Sequence, residues 1–218
     1  MESVQPLGDQ AALAAFADEA SALRFAAAVR REAPPWLIDV VQAYATVAVF
    51  YDLLHVGYRE VETWTRAVRP ASAVDKTTGK LHAIPCCYER QLDLTRVGQH
   101  LDLSPEEVIR LHTSVEYTVY AIGFSPGFPY LGYLPEPLCG VPRLSAPRVR
   151  VEPGSVGLTG RQTGIYPEAR PGGWNLIGQT PLQLVDVADG YFPLRTGDRV
   201  RFVPIDDATF RQQQGERL

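Results

Sequence analysis

The second half of the chain consists of short β-prone segments separated by glycine and proline. The sequence of 218 residues holds 18 glycines and 18 prolines, which is high for a helical protein and ordinary for one made of short strands and turns. Segments at this spacing are typical of a closed or nearly closed antiparallel sheet rather than of alternating strands and helices. We therefore predict an antiparallel β-barrel with strands at 117–122, 149–151, 156–159, 175–177, 182–187 and 200–205.

The first third of the chain alternates between strand and helix patterns. An apolar run at 10–16 predicts a buried strand, and Asp18 can cap a helix that stops at Pro34. Two β-rich runs follow within 38–51, and apolar residues on one face predict a second helix at 58–68. Strand, helix, strand, strand, helix is the start of a ferredoxin-like βαββαβ unit, so we predict a small α+β domain here.

The polar, turn-rich segment 70–80 is the best candidate for a linker between two domains. We place one domain at 1–78 and the other at 79–218. The second domain is predicted to begin with a strand at 82–88 and helices at 93–100 and 104–113, the last with a capping box at its start. Residues 211–218 have the composition of a frayed end.

Composition and charge exclude several classes of protein. The chain has 21 basic and 25 acidic side chains, a net charge of -4, and no basic cluster, which argues against nucleic acid binding. The longest uncharged run, 117–135, is interrupted by proline and glycine and is not a membrane helix. No basic segment precedes an apolar stretch at the N-terminus, and the 3 cysteines fit neither a disulfide framework nor a zinc site. We expect a cytoplasmic protein.

Two segments present aromatic rings next to glycine and proline. The run 123–132 carries Phe124 and Phe128, which suit a rigid loop that displays rings to a ligand or partner, or equally a buried plug at one end of a barrel. The run 171–178 is a tight turn that opens onto Trp174 and Asn175. Taken alone, this turn is more typical of a β-turn with a core tryptophan.

Two further segments carry polar groups. Arg143 and Arg148 each follow a proline, and a rigidly presented guanidinium suits carboxylate or phosphate recognition, although a single arginine is more often a solvated surface charge. The glycine-rich run 154–164 contains Gln162 and Thr163 but has neither the lysine nor the following helix of a P-loop. It predicts a hairpin whose backbone a ligand can approach closely.

Residues that usually perform catalysis are scattered. The histidines have no metal-ligand spacing, so no metal site is predicted, and His112 is more typical of a packed or capping residue than of a base. Cys86 and Cys87 lie in an apolar run, where cysteines are usually small buried residues. No nucleophile or general base can be assigned.

Several of these motifs, taken in order, resemble the allophanate-hydrolase-subunit-1 family. That family includes the B subunit of bacterial ATP-dependent 5-oxoprolinase, an inhibitor of a sporulation histidine kinase, and the carboxyltransferase module of urea carboxylases. The resemblance runs from Leu7-Gly8-Asp9 to Gly197-Asp198-Arg199-Val200 and rests on the segments 84–88, 107–112, 123–132, 154–167 and 171–178.

The resemblance implies a ferredoxin-like N-terminal domain and a cyclophilin-like β-barrel. It also implies a protein that works with partners like the A and C subunits of 5-oxoprolinase and uses ATP in the assembled complex, without assigning the ATP site to this chain. The alternatives are an inhibitor that binds a histidine kinase and a part of a urea-type carboxyltransferase assembly. Under the first hypothesis we expect a substrate or partner cleft lined by Phe124, Phe128, Arg143, Arg148, Gln162, Thr163, Tyr166, Trp174 and Asn175.

Overall fold

The computed structural model describes residues 1–70 and 79–218. The chain divides into two compact units, Met1–Thr78 and Gly79–Leu218. Most of the predicted linker at 70–80 lies outside the described residues. In the part of the chain that is described, no helix is both long and apolar enough to cross a membrane.

The N-terminal unit is a four-stranded antiparallel sheet with two helices. Its elements are β1 (Ser3–Leu7), β2 (Ala11–Ala15), α1 (Glu19–Glu32), β3 (Leu37–Ala43), β4 (Thr46–Tyr51) and α2 (Tyr58–Ala67). The strands lie in the order β1-β2-β4-β3, with α1 packed on β3 and β4 and α2 packed on β1 and β2. The predicted cap is confirmed, because the Ser21 N–H donates to Asp18 Oδ1 at 2.6 Å.

The order of elements in this unit is ββαββα, whereas the sequence predicted the start of βαββαβ. The extra strand, β1, was missed because only Val4 among its five residues is buried and because it contains Pro6. An exposed edge strand of this kind has no hydrophobic alternation to reveal it. The α+β class is confirmed, and the ferredoxin-like assignment stays a prediction.

The second unit is a closed barrel of seven strands. They are β5 (Leu81–Cys87), β6 (Tyr117–Ile122), β7 (Pro129–Gly132), β9 (Ser155–Thr159), β10 (Gln162–Ile165), β12 (Asn175–Gln179) and β13 (Arg199–Ile205). Their order is β6-β13-β5-β12-β9-β10-β7, and pairing of β6 with β7 closes the circle. A separate pair, β8 (Arg148–Val151) and β11 (Arg170–Gly172), forms a two-stranded sheet.

The barrel is not antiparallel throughout, since β13 and β5 are parallel over seven residue pairs. This corrects the predicted antiparallel barrel, because strand-forming patterns carry no information on relative direction. The predicted strand at 182–187 is also wrong: within that run only Gln183 and Asp186 form isolated bridges, to Arg217 and Tyr191. The closed barrel itself is confirmed and fits a cyclophilin-like fold.

Three helices complete the unit: α3 (Leu94–Leu101), α4 (Pro105–Thr113) and α5 (Asp207–Gln213). The capping box of α4 is confirmed, with Ser104 Oγ accepting from the Glu107 N–H and Glu107 Oε2 accepting from the Ser104 N–H. The expectation of a frayed end is wrong. Phe210 on α5 is only 3% exposed, and the Gln183 N–H donates to the Glu216 carbonyl at 2.7 Å.

Candidate functional site

A cluster of aromatic side chains packs on the barrel apart from its interior core. We call the set of Phe124, Phe128, Tyr130, Tyr166 and Trp174 the aromatic cluster. Phe128 is its centre, with ring centroids 5.0 Å from Tyr130, 5.2 Å from Tyr166 and 5.5 Å from Trp174, all edge to face. Such pairs contribute about 0.5–1.5 kcal/mol each beyond the area that they bury.

These rings pack directly against the backbone of glycine residues, where a side chain would not fit. A Cβ atom on Gly164 of β10 would come within 2.9 Å of Trp174 and 3.1 Å of Phe128. A Cβ on Gly172 of β11 would lie 2.4 Å from the Tyr166 hydroxyl oxygen. The glycine-rich segments therefore let side chains, rather than a ligand phosphate, approach the backbone closely.

Phe124 differs from the rest of the cluster because it is exposed and its backbone is strained. It is 61% exposed and has φ +68, a conformation that L side chains rarely adopt. Its ring still reaches Phe128 at 5.4 Å and Tyr166 at 6.3 Å. The sequence left two interpretations of this loop open, a buried plug and a display of exposed rings. Phe128, which is 2% exposed, agrees with the first, and Phe124 agrees with the second.

Arg148 is held by protein groups. Its guanidinium donates to Asp93 Oδ1 at 2.7 Å and reaches the Trp174 carbonyl at 3.5 Å. The other oxygen of Asp93 accepts from the Leu176 N–H at 2.7 Å, so this buried carboxylate joins β8, β12 and the start of α3. Replacing Arg148 would leave a buried charge without its cation. Loss of activity in such a variant would not distinguish binding from folding.

Asn175 is fully buried, and its carboxamide is occupied within the chain. Nδ2 donates to the Pro142 carbonyl at 3.0 Å and to the Leu158 carbonyl at 3.1 Å, while Oδ1 accepts from Arg96. No donor of this side chain remains for a ligand. The structure therefore makes Asn175 a residue that fixes the segment around Pro142, rather than a group that lines a cleft.

Thr163 points into the barrel and takes part in a buried hydrogen-bond chain. Its hydroxyl donates to the Gly157 carbonyl at 2.9 Å and lies 2.9 Å from His112 Nε2. The other ring nitrogen of His112 lies 2.7 Å from the Tyr88 hydroxyl. Burial lowers the pKa of His112 to about 3, so the imidazole is neutral, and burial also raises the pKa of Tyr88 well above its usual range. Thr163 thus stabilises the interior and does not face the aromatic cluster.

In the described part of the chain, Arg143 and Gln162 are the expected polar site residues whose side chains take part in the fewest polar contacts. Arg143 is exposed, and Gln162 on β10 is half-buried. Within residues 1–70 and 79–218, the Arg143 side chain forms no ion pair and the Gln162 side chain forms no hydrogen bond. Burial raises the pKa of Tyr166, and the positive charges of Arg143 and Arg148 act in the opposite direction.

The structure therefore joins some of the expected site residues and separates others. Phe124, Phe128, Tyr166 and Trp174 are linked by ring contacts, and the charges of Arg143 and Arg148 act on Tyr166. Sequence reasoning missed Asp93, Arg96 and Tyr130, whereas the prediction that His112 is a packed residue is confirmed. Tyr130 lies within the aromatic-rich run already singled out, whereas nothing local indicates that Asp93 pairs with Arg148.

Among the described residues, no group of three or more histidine, cysteine or acidic side chains is placed to hold a metal ion. A shallow, open depression lies elsewhere, between α3 and α4 at Gly98 and Ser104. The candidate site is therefore the aromatic cluster, with the exposed Phe124 as its accessible ring and Arg143 as the exposed cation near it.

A family model described as the carboxyltransferase domain, subdomain C and D, matches residues 2–192. The chain is 36% identical to the B subunit of the 5-oxoprolinase of Bacillus subtilis (strain 168), over 98% of this chain and 97% of that protein. The crystal structure of TTHA0988 is 36% identical with a TM-score of 0.79, over 94% of this chain but only 40% of that longer chain. The urea amidolyase of K. lactis, at 17% identity and a TM-score of 0.71, shares the fold over 96% of this chain and 15% of its own.

Proposed function

Because the chain belongs to the family of carboxyltransferase domains, subdomains C and D, we propose that it is a subunit of an ATP-dependent 5-oxoprolinase. The supporting observation is the similarity to the B subunit of a 5-oxoprolinase, which extends over nearly the whole of both chains. In this proposal, partners like the A and C subunits complete the enzyme, and the chain is not active by itself. The complex converts 5-oxoproline, ATP and water into L-glutamate, ADP and phosphate.

The reaction must break the amide bond of a five-membered ring, and amides are poor electrophiles. In the proposed reaction the terminal phosphoryl group of ATP is transferred to the amide oxygen and ADP leaves. One water then adds to the activated carbon and the ring C–N bond breaks, with the nitrogen taking a proton, to give an acyl phosphate. A second water converts the acyl phosphate into the carboxylate and phosphate. Negative charge then develops on oxygen, and cations or oriented N–H donors nearby stabilise it. Arg143 and the exposed ring of Phe124 are the groups of this chain that would bind and orient the substrate, and Phe128 and Tyr166 pack against the ring of Phe124.

The described residues of this chain do not fit an ATP phosphate site. The glycine-rich run 154–164 forms β9, β10 and the turn between them, and the next element is strand β11 rather than a helix. A P-loop depends on backbone N–H groups at the start of a helix that follows the glycines. We therefore propose that a partner protein binds ATP.

We propose that the partners also supply the base and the nucleophile of the hydrolytic step, because His112 and Cys86 of this chain are enclosed in the barrel. His112 and Thr163 bond to each other inside the barrel, and the pKa of His112, about 3, leaves the imidazole neutral but enclosed. Burial raises the pKa of the Cys86 thiol, which makes it a poor nucleophile. This distribution of groups supports an assembly in which the partners supply the reactive residues.

The test is an omission experiment with the chain and the proteins of the same organism that are like the A and C subunits. We expect 5-oxoproline-dependent ADP formation only when all the proteins are present, and none from this chain alone. ADP formation that is unchanged when this chain is left out would refute the proposal, as would turnover by the isolated chain. A mixture of denatured chain with the native partners is the matched control.

Experiments with this chain also test the two alternative functions, a kinase inhibitor and a carboxyltransferase component. An inhibitor of a histidine kinase would need the loop at 124–133 as an exposed docking surface, yet Phe128 and Leu131 are buried and the exposed residues of the loop are Phe124 and Pro126. Recovery of a kinase without a hydrolase component in a pull-down would favour the inhibitor. Dependence on a biotin carrier and a urea-like substrate would favour a carboxyltransferase.

A further inference from the structure

Among the described residues, Arg143 has no ion-pair partner, in a region where other polar groups have partners. Arg148 is paired with Asp93, and the carboxamide of Asn175 is occupied by Pro142, Leu158 and Arg96. Within residues 1–70 and 79–218, no acidic side chain lies within ion-pair distance of Arg143. An exposed arginine of this kind is commonly a solvated charge, so its backbone and its surroundings decide whether it forms part of a site.

The backbone on both sides of Arg143 is fastened to β12 and the turn before it. Asn175 Nδ2 donates to the carbonyl of Pro142 at 3.0 Å, and the Leu144 N–H donates to the carbonyl of Gly173 at 2.8 Å. One residue earlier, the Gly160 N–H donates to the Val141 carbonyl at 2.7 Å. Arg143 therefore lies between fixed anchors, which reduces the conformational entropy lost when it binds a ligand.

The two anchors on β12 and its turn flank Trp174, and this places Arg143 beside the aromatic cluster. Trp174 contacts Tyr130 at 5.8 Å and Phe128 at 5.5 Å, and Phe128 contacts Tyr166 at 5.2 Å. Burial raises the pKa of both tyrosines, and the charge of Arg143 lowers it in each case. The charge of Arg143 thus acts on Tyr130 of β7 and on Tyr166, which follows β10.

The Tyr130 hydroxyl is available to a ligand. In the described part of the chain it makes no hydrogen bond, although its ring is packed against Phe128 and Trp174. A neutral phenol can donate to an anion, and a guanidinium can donate two parallel bonds to a carboxylate. These are the donors of a small anion site.

We propose that Arg143, together with the hydroxyl of Tyr130, binds the carboxylate of a small cyclic ligand whose body lies against Phe124. This inference rests on the proposed function: the ligand is then 5-oxoproline, and Arg143 binds its carboxylate selectively. Asn175 is then a positioning residue that acts through Pro142.

The charge at the site favours a carboxylate over a phosphate. Arg143 is the cation that acts on both phenols, while Arg148, whose charge also acts on Tyr166, is already compensated by Asp93. One free positive charge with one neutral donor matches a singly charged anion. A phosphate dianion is usually held by several cations or by backbone N–H groups at the start of a helix.

The test uses the full-length chain and ligands that differ only in charge. Binding of cyclopentanecarboxylate, of its neutral carboxamide and of inorganic phosphate is measured by chemical-shift perturbation of the tyrosine and tryptophan rings. We expect the carboxylate to bind at least tenfold more tightly than the carboxamide and than phosphate. Arg143→Ala should weaken carboxylate binding by about 10- to 100-fold, the usual effect of losing a charge-assisted hydrogen bond.

Two further variants make the result specific. Tyr130→Phe, which keeps the ring contacts, should weaken carboxylate binding by a few fold, and Arg201→Ala, which removes another exposed arginine, should have no effect. Equal binding of the carboxylate and the carboxamide, preference for phosphate, no binding at all, or equal effects of the Arg143 and Arg201 variants would overturn the inference. Cyclopentanecarboxylate has no amide bond. Arg143-dependent binding of this probe together with an inactive three-component mixture would therefore refute the 5-oxoprolinase function and leave the carboxylate site standing.

Discussion

Gly164→Ala is expected to lower the free energy of unfolding by about 1–3 kcal/mol and to disturb the aromatic cluster. The new Cβ would lie 2.8 Å from the Pro129 carbonyl oxygen, 2.9 Å from Trp174 and 3.1 Å from Phe128. The carbonyl belongs to a barrel strand and the two rings pack on each other, so none of these groups can move freely. Thermal unfolding measures the loss, and near-ultraviolet circular dichroism reports the change in the environment of the rings.

Gly123→Ala is the matched control. Gly123 precedes Phe124 in the same aromatic run, has nothing within 4 Å of a Cβ atom and does not have a positive φ. We expect this variant to change the free energy of unfolding by less than about 0.5 kcal/mol. If both variants unfold at the wild-type temperature and keep the near-ultraviolet circular dichroism of the aromatic rings, the glycine at position 164 does not determine where the rings lie.

The second large effect is a dependence of stability on pH that originates at His112. In the unfolded chain this imidazole takes up a proton near its usual pKa of 6.5, whereas in the folded barrel burial lowers the pKa to about 3. The unfolded state therefore binds more protons as the pH falls below 6.5, so stability is full above this value and is lost on acidification. One such residue contributes about 1.4 kcal/mol per pH unit within this window.

Denaturant unfolding between pH 6.5 and pH 5, above the range in which most carboxylates titrate, measures this slope. His112→Gln, which has no ionisable group, should lose about that much slope, while His100→Gln, at an exposed helical position, should leave it unchanged. The proton NMR signals of the His112 ring provide a test that needs no variant. An imidazole that titrates between pH 6 and pH 7 in the folded protein would contradict the neutral assignment.

Local signals predicted much of the secondary structure. Asp18 and Ser104 mark helix starts because capping depends on residues within one turn, and both caps are present. Strand β6 was predicted with its observed bounds because its residues alternate between buried and half-buried positions. The hairpin predicted within 154–164 is present as β9 and β10. Strand β7 was missed, since it is four residues long and contains both a proline and a glycine.

The arrangement of the candidate site was less accessible from the sequence. Local sequence patterns indicated Phe128 and Trp174 as ring-bearing positions and the family resemblance added Tyr166, and the structure joins these three rings. It could not show that Thr163 faces the barrel interior or that Asn175 is occupied by Pro142. Both facts depend on pairing between strands distant in sequence. The family resemblance, by contrast, is carried by ordered motifs and is confirmed by the matching family model.

The most direct test of the aromatic cluster as the functional site is Phe124→Gly in the reconstituted 5-oxoprolinase assay. Glycine relieves the strain at φ +68, worth about 1 kcal/mol, which offsets the loss of a ring that is 61% exposed. We expect an unfolding temperature within a few degrees of wild type and a fall of at least tenfold in kcat/KM. Leu54→Ala, which removes another exposed apolar side chain, should leave both quantities unchanged. Wild-type kcat/KM in the Phe124→Gly complex would contradict a functional role for this surface.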